Sequence, residues 1–221
     1  KKFLGMATVP LQNVPDAVAE LERAVHVLKL RGVHVGSNVR GKYLGDRDFF
    51  PFFEKAAALD IPVFIHPIDV AGSNRLREYY FTNLIGNPLE TTITGGHLIF
   101  SGIFDRLPGV KIILAHAGGF LPYNIDRWGH GFKVRPECRE FLRKSPVEYL
   151  RNFYYDTISH GLEPLRFLVS RVGADRILIG TDYPADMGDL APLQSIKAAD
   201  IPADEKERIL SKNAMELYGM R

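Results

Sequence analysis

Short apolar runs alternate along the chain with stretches whose apolar residues recur every three or four positions. Phe3–Val9 (FLGMATV) is an apolar run closed by Pro10. Val18, Leu21, Val25 and Leu28 then fall on one face of a helix; Pro15 suits its first turn, and Gly32 stands where a C-terminal cap belongs. Val33–Ser37 reads as a strand, and Asp48 is placed to cap a helix running through Phe52, Ala56 and Leu59. Ile61–Ile65 is a strand that ends at His66, and a longer Arg- and Tyr-containing insertion, Pro67–Gly86, comes after it. A helix is expected over Pro88–Phe104, weakened in its middle by Gly95 and Gly96. Val110–Ala115 is the clearest strand and ends at His116. Pro146–Asn152 reads as helix, Phe153–Thr157 as strand and Glu163–Val172 as helix. Arg176–Gly180 is a strand leading into Thr181-Asp182, and helices near Leu190–Ala199 and Asp204–Tyr218 close the chain.

Strands that are β-branched, almost continuously apolar and separated by helices imply a parallel sheet buried on both faces. Six such strand–helix units with no Pro/Gly/Ser-rich linker imply one domain over residues 1–221. A six-stranded doubly wound sheet would fit, but it usually carries a Gly-rich phosphate loop after its first strand. Val9-Pro10-Leu11-Gln12 occupies that place. The remaining α/β solution is a (β/α)8 TIM barrel whose first two strand–helix units are absent from this sequence, roughly 60 residues at about 30 per unit.

Composition narrows the function rather than the fold. Of 221 residues, 46% are hydrophobic and 24% charged, enough for one large core. A net charge of +2, with Lys and Arg scattered, gives neither a nucleic-acid footprint nor a polybasic membrane anchor. No apolar run approaches the ~20 residues of a membrane span, and no signal peptide is visible. The single Cys138 has no internal disulfide partner and suits a reducing compartment, so a cytoplasmic location is expected. The chain opens at Lys1 rather than Met, which leaves room for a start upstream.

Three strands end in residues able to bind a metal: His66 after IPVFI, His116 after VKIILA, and Asp182 after RILIGT. Active sites of parallel α/β folds are built at the carboxyl ends of strands, and imidazole with carboxylate suits Zn²⁺ or a similar divalent ion. One His at a strand end is ordinarily a hydrogen-bonded loop residue, and Asp before Tyr-Pro is often a turn residue. The coincidence of three such ends is what points to a site.

His66-Pro67, His116-Ala117-Gly118-Gly119 and Gly180-Thr181-Asp182-Tyr183-Pro184 resemble the signatures of the amidohydrolase superfamily. The branch they resemble most is that of the aminocarboxymuconate-semialdehyde and resorcylate-type decarboxylases. The resemblance extends to Asn87-Pro88-Leu89-Glu90-Thr91-Thr92, Arg127-Trp128-Gly129-His130-Gly131-Phe132 and Asn213-Ala214. It implies a metal-dependent, non-oxidative decarboxylase of an aromatic or conjugated acid, with one divalent ion (Zn²⁺ by default, Mn²⁺ as in resorcylate-type relatives). His66 and Asp182 would be metal ligands, and His116 the acid/base, with Asp182 sharing the proton duty. Arg127 matches an Arg that reaches the neighbouring subunit's site, which implies a homodimer and a carboxylate substrate held in trans. Tyr80 falls where the branch usually has a pocket-lining Trp, and Asp156 and His160 could line the same pocket. The family's first-strand His-x-His or Glu-x-His pair has no counterpart: before His66 stand only His26, expected on a helix surface, and His34, expected on the inner face of the barrel. A hydrolase using the same ligands, and a non-catalytic binding protein without the full metal site, are the alternatives.

Overall fold

The computed structural model describes residues 3–220. β1 (Val33–Gly36) leads into a small antiparallel pair, β2 (Asn38–Val39) with β3 (Lys42–Tyr43). β4 (Val63–His66), β5 (Ile112–Leu114), β6 (Phe153–Asp156) and β7 (Ile177–Leu178) come next. The main sheet has the order β1-β4-β5-β6-β7, every neighbour parallel. Each new strand joins the edge left by its predecessor, with no reversal of direction across the sheet. That winding is the (β/α)8 barrel's; a doubly wound sheet reverses at a switch point.

The two faces of the sheet differ as a barrel requires. Val33, Val35, Val63, Ile65, Ile112, Leu114, Phe153, Tyr155 and Ile177 are buried, packed with helix residues such as Leu21, Phe52, Leu98 and Leu168 in one cluster that runs from Ala7 to Ile209. The opposite face sets His34, Phe64, Ile113 and Tyr154 side by side in register. Ile113 and Leu178 of this inner face are covered by Leu217, whereas His34 is exposed and its ring lies 5.4 Å from that of Phe64. Burial on both faces, expected from the β-branched runs, is therefore complete only on the helix side.

The helices are α1 (Val14–His26), α2 (Phe50–Ala58), α3 (Asn87–Phe100), α4 (Ile103–Arg106), α5 (Leu121–Val134), α6 (Pro146–Tyr149), α7 (Leu162–Val172), α8 (Pro192–Ala198), α9 (Ala203–Glu207) and α10 (Asn213–Leu217). α1 starts at an Asn13 cap and stops at His26, earlier than its pattern predicts, because Lys29 takes a left-handed turn (φ 60°). Gly32 is no cap; a Cβ there would lie 3.0–3.3 Å from Met6, Tyr218 and the Pro62 carbonyl, so it permits close packing. The Phe3–Val9 run contributes one bridging residue, Ala7, whose N–H donates to the Gly32 carbonyl (2.8 Å) and whose carbonyl accepts from His34 N–H (2.8 Å). α3 runs unbroken through Gly95 and Gly96, which sit where Leu121 and Trp128 of the α5 region press closest. The energetic cost of glycine in a helix is met here by the approach of two helices. Among the described residues, no helix is long and apolar enough to cross a membrane.

Candidate active site

His66 closes β4, His116 comes two residues after β5, and Asp182 four residues after β7, so all three rise from the carboxyl end of the sheet. The turn after β5 is unusual: His116, Ala117, Gly118 and Gly119 all have positive φ (55°, 53°, 77° and 62°). Left-handed conformations cost non-glycine residues about 1–2 kcal/mol each. The compensation is Asp156, whose buried carboxylate accepts from the backbone N–H groups of His116 (3.0 Å), Ala117 (2.8 Å) and Ile158 (3.0 Å). On the far side of the turn, Phe120 N–H donates to Thr92 Oγ1 at 2.7 Å. Gly119 is required there, since a Cβ would lie 2.1 Å from the Pro88 carbonyl oxygen.

His66 Nε2 lies 3.4 Å from one Asp182 oxygen, and His116 Nε2 lies 3.6 Å from the other. Both distances exceed the 2.7–2.9 Å of a charge-assisted hydrogen bond. They match instead the spacing of ligand atoms around one ion, since bonds of about 2.1 Å at tetrahedral angles separate neighbouring ligands by about 3.4 Å. The three ligand atoms lie within 4.8 Å of one another. His66 Nδ1 faces the Pro67 carbonyl at 3.2 Å, which favours the tautomer with Nδ1 protonated and Nε2 free to coordinate. His116 is mostly enclosed, and burial holds its imidazole below the ordinary value, assisted by His66 and opposed by Asp156 and Asp182. Burial pushes the Asp156 carboxyl up, against the pull of the donors that surround it. The donor set thus fits a divalent ion.

A cavity of about 640 Å³ opens beside His116 and Asp182. Phe120, Tyr123 and Phe167 give it aromatic walls, while Asn87, Ser159 and His160 add polar groups. Among the described residues, no Lys or Arg lines it. His160, at φ 54°, faces this cavity as the sequence allowed, whereas Asp156 lies beneath the His116 turn and lines nothing. Arg127 is exposed on α5, one turn beyond Tyr123, and has no ion pair among the described residues. Tyr80 is also outside the cavity lining; its hydroxyl donates to Asp186 (2.9 Å), which ties the insertion to the loop carrying Asp182. His26 is exposed at the end of α1, and His34 stands on the inner face with its ring 6.0 Å from that of His66. Tyr123 and Phe167 carry no signal in the sequence: no helical pattern is readable over α5, and Phe167 falls on the exposed side of α7.

The family model described as amidohydrolase matches residues 1–220. The chain is 39% identical over its whole length to 2-amino-3-carboxymuconate-6-semialdehyde decarboxylase of Dictyostelium discoideum, and spans 62% of that protein. Among solved structures, 5-carboxyvanillate decarboxylase from Sphingomonas paucimobilis superposes with a TM-score of 0.89 at 29% identity, covering 99% of this chain and 67% of that one. Dihydroxybenzoic acid decarboxylase from Polaromonas sp., solved with manganese and 2-nitroresorcinol, has the same TM-score at 28% identity, with 98% and 69% covered.

Proposed function

The chain belongs to the amidohydrolase family, and on that premise we propose that it forms the larger part of a metal-dependent, non-oxidative decarboxylase of an aromatic or conjugated carboxylic acid. The observation that carries the reading is the convergence of His66, His116 and Asp182 at three strand ends beside an aromatic-walled cavity. His66 and Asp182 are assigned as metal ligands and His116 as the proton carrier. The bound ion supplies a Lewis acid that draws electrons from the substrate's oxygen substituents. Mn²⁺ and Zn²⁺ both suit this donor set, and the manganese in the Polaromonas enzyme favours trying Mn²⁺ first.

The reaction breaks the bond between the carboxylate carbon and the skeleton, leaving its electron pair on the skeleton carbon, which takes a proton as carbon dioxide departs. His116, kept neutral by burial, is suited to take a proton from substrate or water and return it to that carbon. Asp182, at 3.6 Å from His116 Nε2, is close enough to share the transfer. Phe120, Tyr123 and Phe167 hold a flat conjugated skeleton and exclude water. Among the described residues the cavity's own lining offers no guanidinium, so the substrate carboxylate is assigned to Arg127 of a second copy in a homodimer, which can grip it bidentately. Tyr80 is assigned to substrate binding at the entrance, through the loop it holds with Asp186. Residues 1–221 are taken as one barrel domain, supported by the continuous core. A cytoplasmic location is supported by the lone, unpaired Cys138.

The same lining favours one competitor: a hydrolase acting on a neutral lactone or amide needs no cation. The deciding experiment gives full-length protein, with about one divalent ion per chain, matched carboxylated aromatics and lactones. Carbon dioxide release that disappears in Asp182→Ala together with the metal supports the decarboxylase. Acid release from the lactone without carbon dioxide replaces it with the hydrolase, and absence of bound metal after reconstitution removes both.

A further inference from the structure

Within the Asn87-Pro88-Leu89-Glu90-Thr91-Thr92 segment, Glu90 has no part in the chemistry above, yet it is a fully buried carboxylate with no ion pair among the described residues. Glu90 is 0% exposed. Its Oε1 accepts from Asn38 Nδ2 (2.9 Å) and from the Ser37 hydroxyl (3.1 Å); its Oε2 accepts from Ala71 N–H (2.9 Å) and the Tyr43 hydroxyl (3.3 Å). Those partners belong to two loops. Ser37, Asn38 and Tyr43 come after β1, and Ala71 ends the five residues beyond His66.

The two loops are further locked at Ile68. Its N–H donates to Ser37 Oγ (3.1 Å), and its carbonyl accepts from Asn38 Nδ2 (2.9 Å). The backbone is therefore fixed two residues after His66 by Ser37 and Asn38, and five residues after it by Glu90 itself. Two and four residues on, α3 repeats the device: Thr92 Oγ1 accepts from Phe120 N–H at the end of the His116 turn, and Thr94 Oγ1 donates to the Ser37 carbonyl (3.1 Å).

We infer that Glu90 is a positioning residue for His66: it clamps the loop behind this imidazole to the end of β1 and thereby sets the ligand atom's place in the metal site. This inference rests on the metal-site reading above. Glu90 neither lines the cavity nor belongs to the His66, His116 and Asp182 group. A Gln side chain keeps the shape but has one acceptor oxygen where two are used. Its NH₂ would face either Ala71 N–H or Asn38 Nδ2, neither of which can turn to accept, because the Asn38 oxygen is taken by Gly41 N–H (2.9 Å).

The test is Mn²⁺ affinity, read from the free-ion electron paramagnetic resonance signal during titration of full-length protein. Glu90→Gln is compared with wild type and with Leu98→Ala, a core substitution in the same helix. Loss of partners behind a metal ligand lowers affinity by about 10- to 100-fold. The expected result is a fall of that size in Glu90→Gln, while Leu98→Ala melts earlier yet binds Mn²⁺ as wild type does. Wild-type affinity in folded Glu90→Gln overturns the inference and leaves the metal reading intact; a wild type that binds no Mn²⁺ overturns both. Should Glu90→Gln fail to fold, Ser37→Ala removes the hydroxyl's part of the Ile68 clamp, keeps the Asn38 bond to the Ile68 carbonyl, and leaves three of the four Glu90 bonds. A weaker Mn²⁺ affinity in that variant supports the clamp, and an unchanged one overturns it.

Discussion

Replacing Asp156 with Asn tests whether the site depends on a turn that its own sequence disfavours. The carboxylate carries three backbone hydrogen bonds, two to the left-handed residues His116 and Ala117. Asn can keep its oxygen toward Ala117 and Ile158, but its NH₂ then faces the His116 N–H. A hydrogen bond to a charged group contributes about 1.5–3 kcal/mol, and an unsatisfied buried N–H costs about 1–3 kcal/mol. Removal of a buried charge recovers part of this, leaving a net loss of about 2 kcal/mol. Two left-handed residues, at about 1–2 kcal/mol each, are then held by fewer bonds, so the turn relaxes and His116 moves. A displacement of about 1 Å in a catalytic group lowers turnover by roughly 10²-fold. Urea unfolding and carbon dioxide release are measured on the same preparation, with Leu21→Ala in the core under α1, outside the cavity lining, as a control for instability alone. An Asp156→Asn protein that unfolds within roughly 0.5 kcal/mol of wild type, or that turns over per folded molecule as fast as Leu21→Ala, would show that the turn does not depend on this carboxylate.

Three further outcomes are expected. Gly119→Ala forces a Cβ to within 2.1 Å of the Pro88 oxygen at φ 62°, so it should destabilise by about 3 kcal/mol or more; a melting curve close to wild type would contradict the packing. Arg127→Ala and His116→Ala, each inactive alone, should complement when mixed as unfolded chains and refolded, giving roughly a quarter of wild-type activity because half the random dimers carry one intact site. No recovery would remove the action of Arg127 in trans. Burial pushes the Tyr218 hydroxyl up to about 12, so the folded state keeps a proton that the unfolded chain loses near pH 10. Its stabilising contribution is therefore complete below pH ~10 and is lost as pH rises to ~12, by up to about 3 kcal/mol. Tyr218→Phe should flatten stability over that interval, and an unchanged alkaline slope would show that other groups govern it.

The parts of this molecule legible in its sequence are those set by the strands. IPVFI, VKIILA and RILIG could be read because buried parallel strands are continuously apolar, and the residue at each end was then conspicuous. α5 was not legible, because Pro122, Gly129 and Gly131 interrupt the helical pattern. Those interruptions have local uses: Gly129 lies under Val147, and Gly96 of α3 lies under Trp128 of α5. Neither use can be known before the partner helix is placed. Glu90 was visible within a motif, but the meaning of a buried carboxylate depends on Ala71 and Asn38, which only folding brings beside it. Asp156 is similar: an Asp at a strand end suggests a pocket-lining residue, and its three backbone donors assign it to the turn instead. The cavity walls were least accessible, since Tyr123 and Phe167 lie on separate helices and meet at 6.1 Å between ring centroids.

The winding of the sheet also has a temporal side. Because β4, β5, β6 and β7 each dock on the strand before them, the sheet can grow in the order of synthesis, and β7 is added last. It is only two residues long and is secured by the C-terminal helices: Asn213 Nδ2 donates to the Ala174 and Ile177 carbonyls (2.6 and 2.7 Å), and Ile179 N–H donates to the Ile209 carbonyl. His66 and His116 can therefore meet while the last quarter of the chain is still loose, whereas Asp182 arrives only when α10 has docked. An ion held by both His66 and Asp182 would favour the state with the closing segment docked, and by mass action would help to hold that segment in place. Damage to the C-terminal helix would then silence the centre from a distance, with His66, His116 and Asp182 all still present in the sequence.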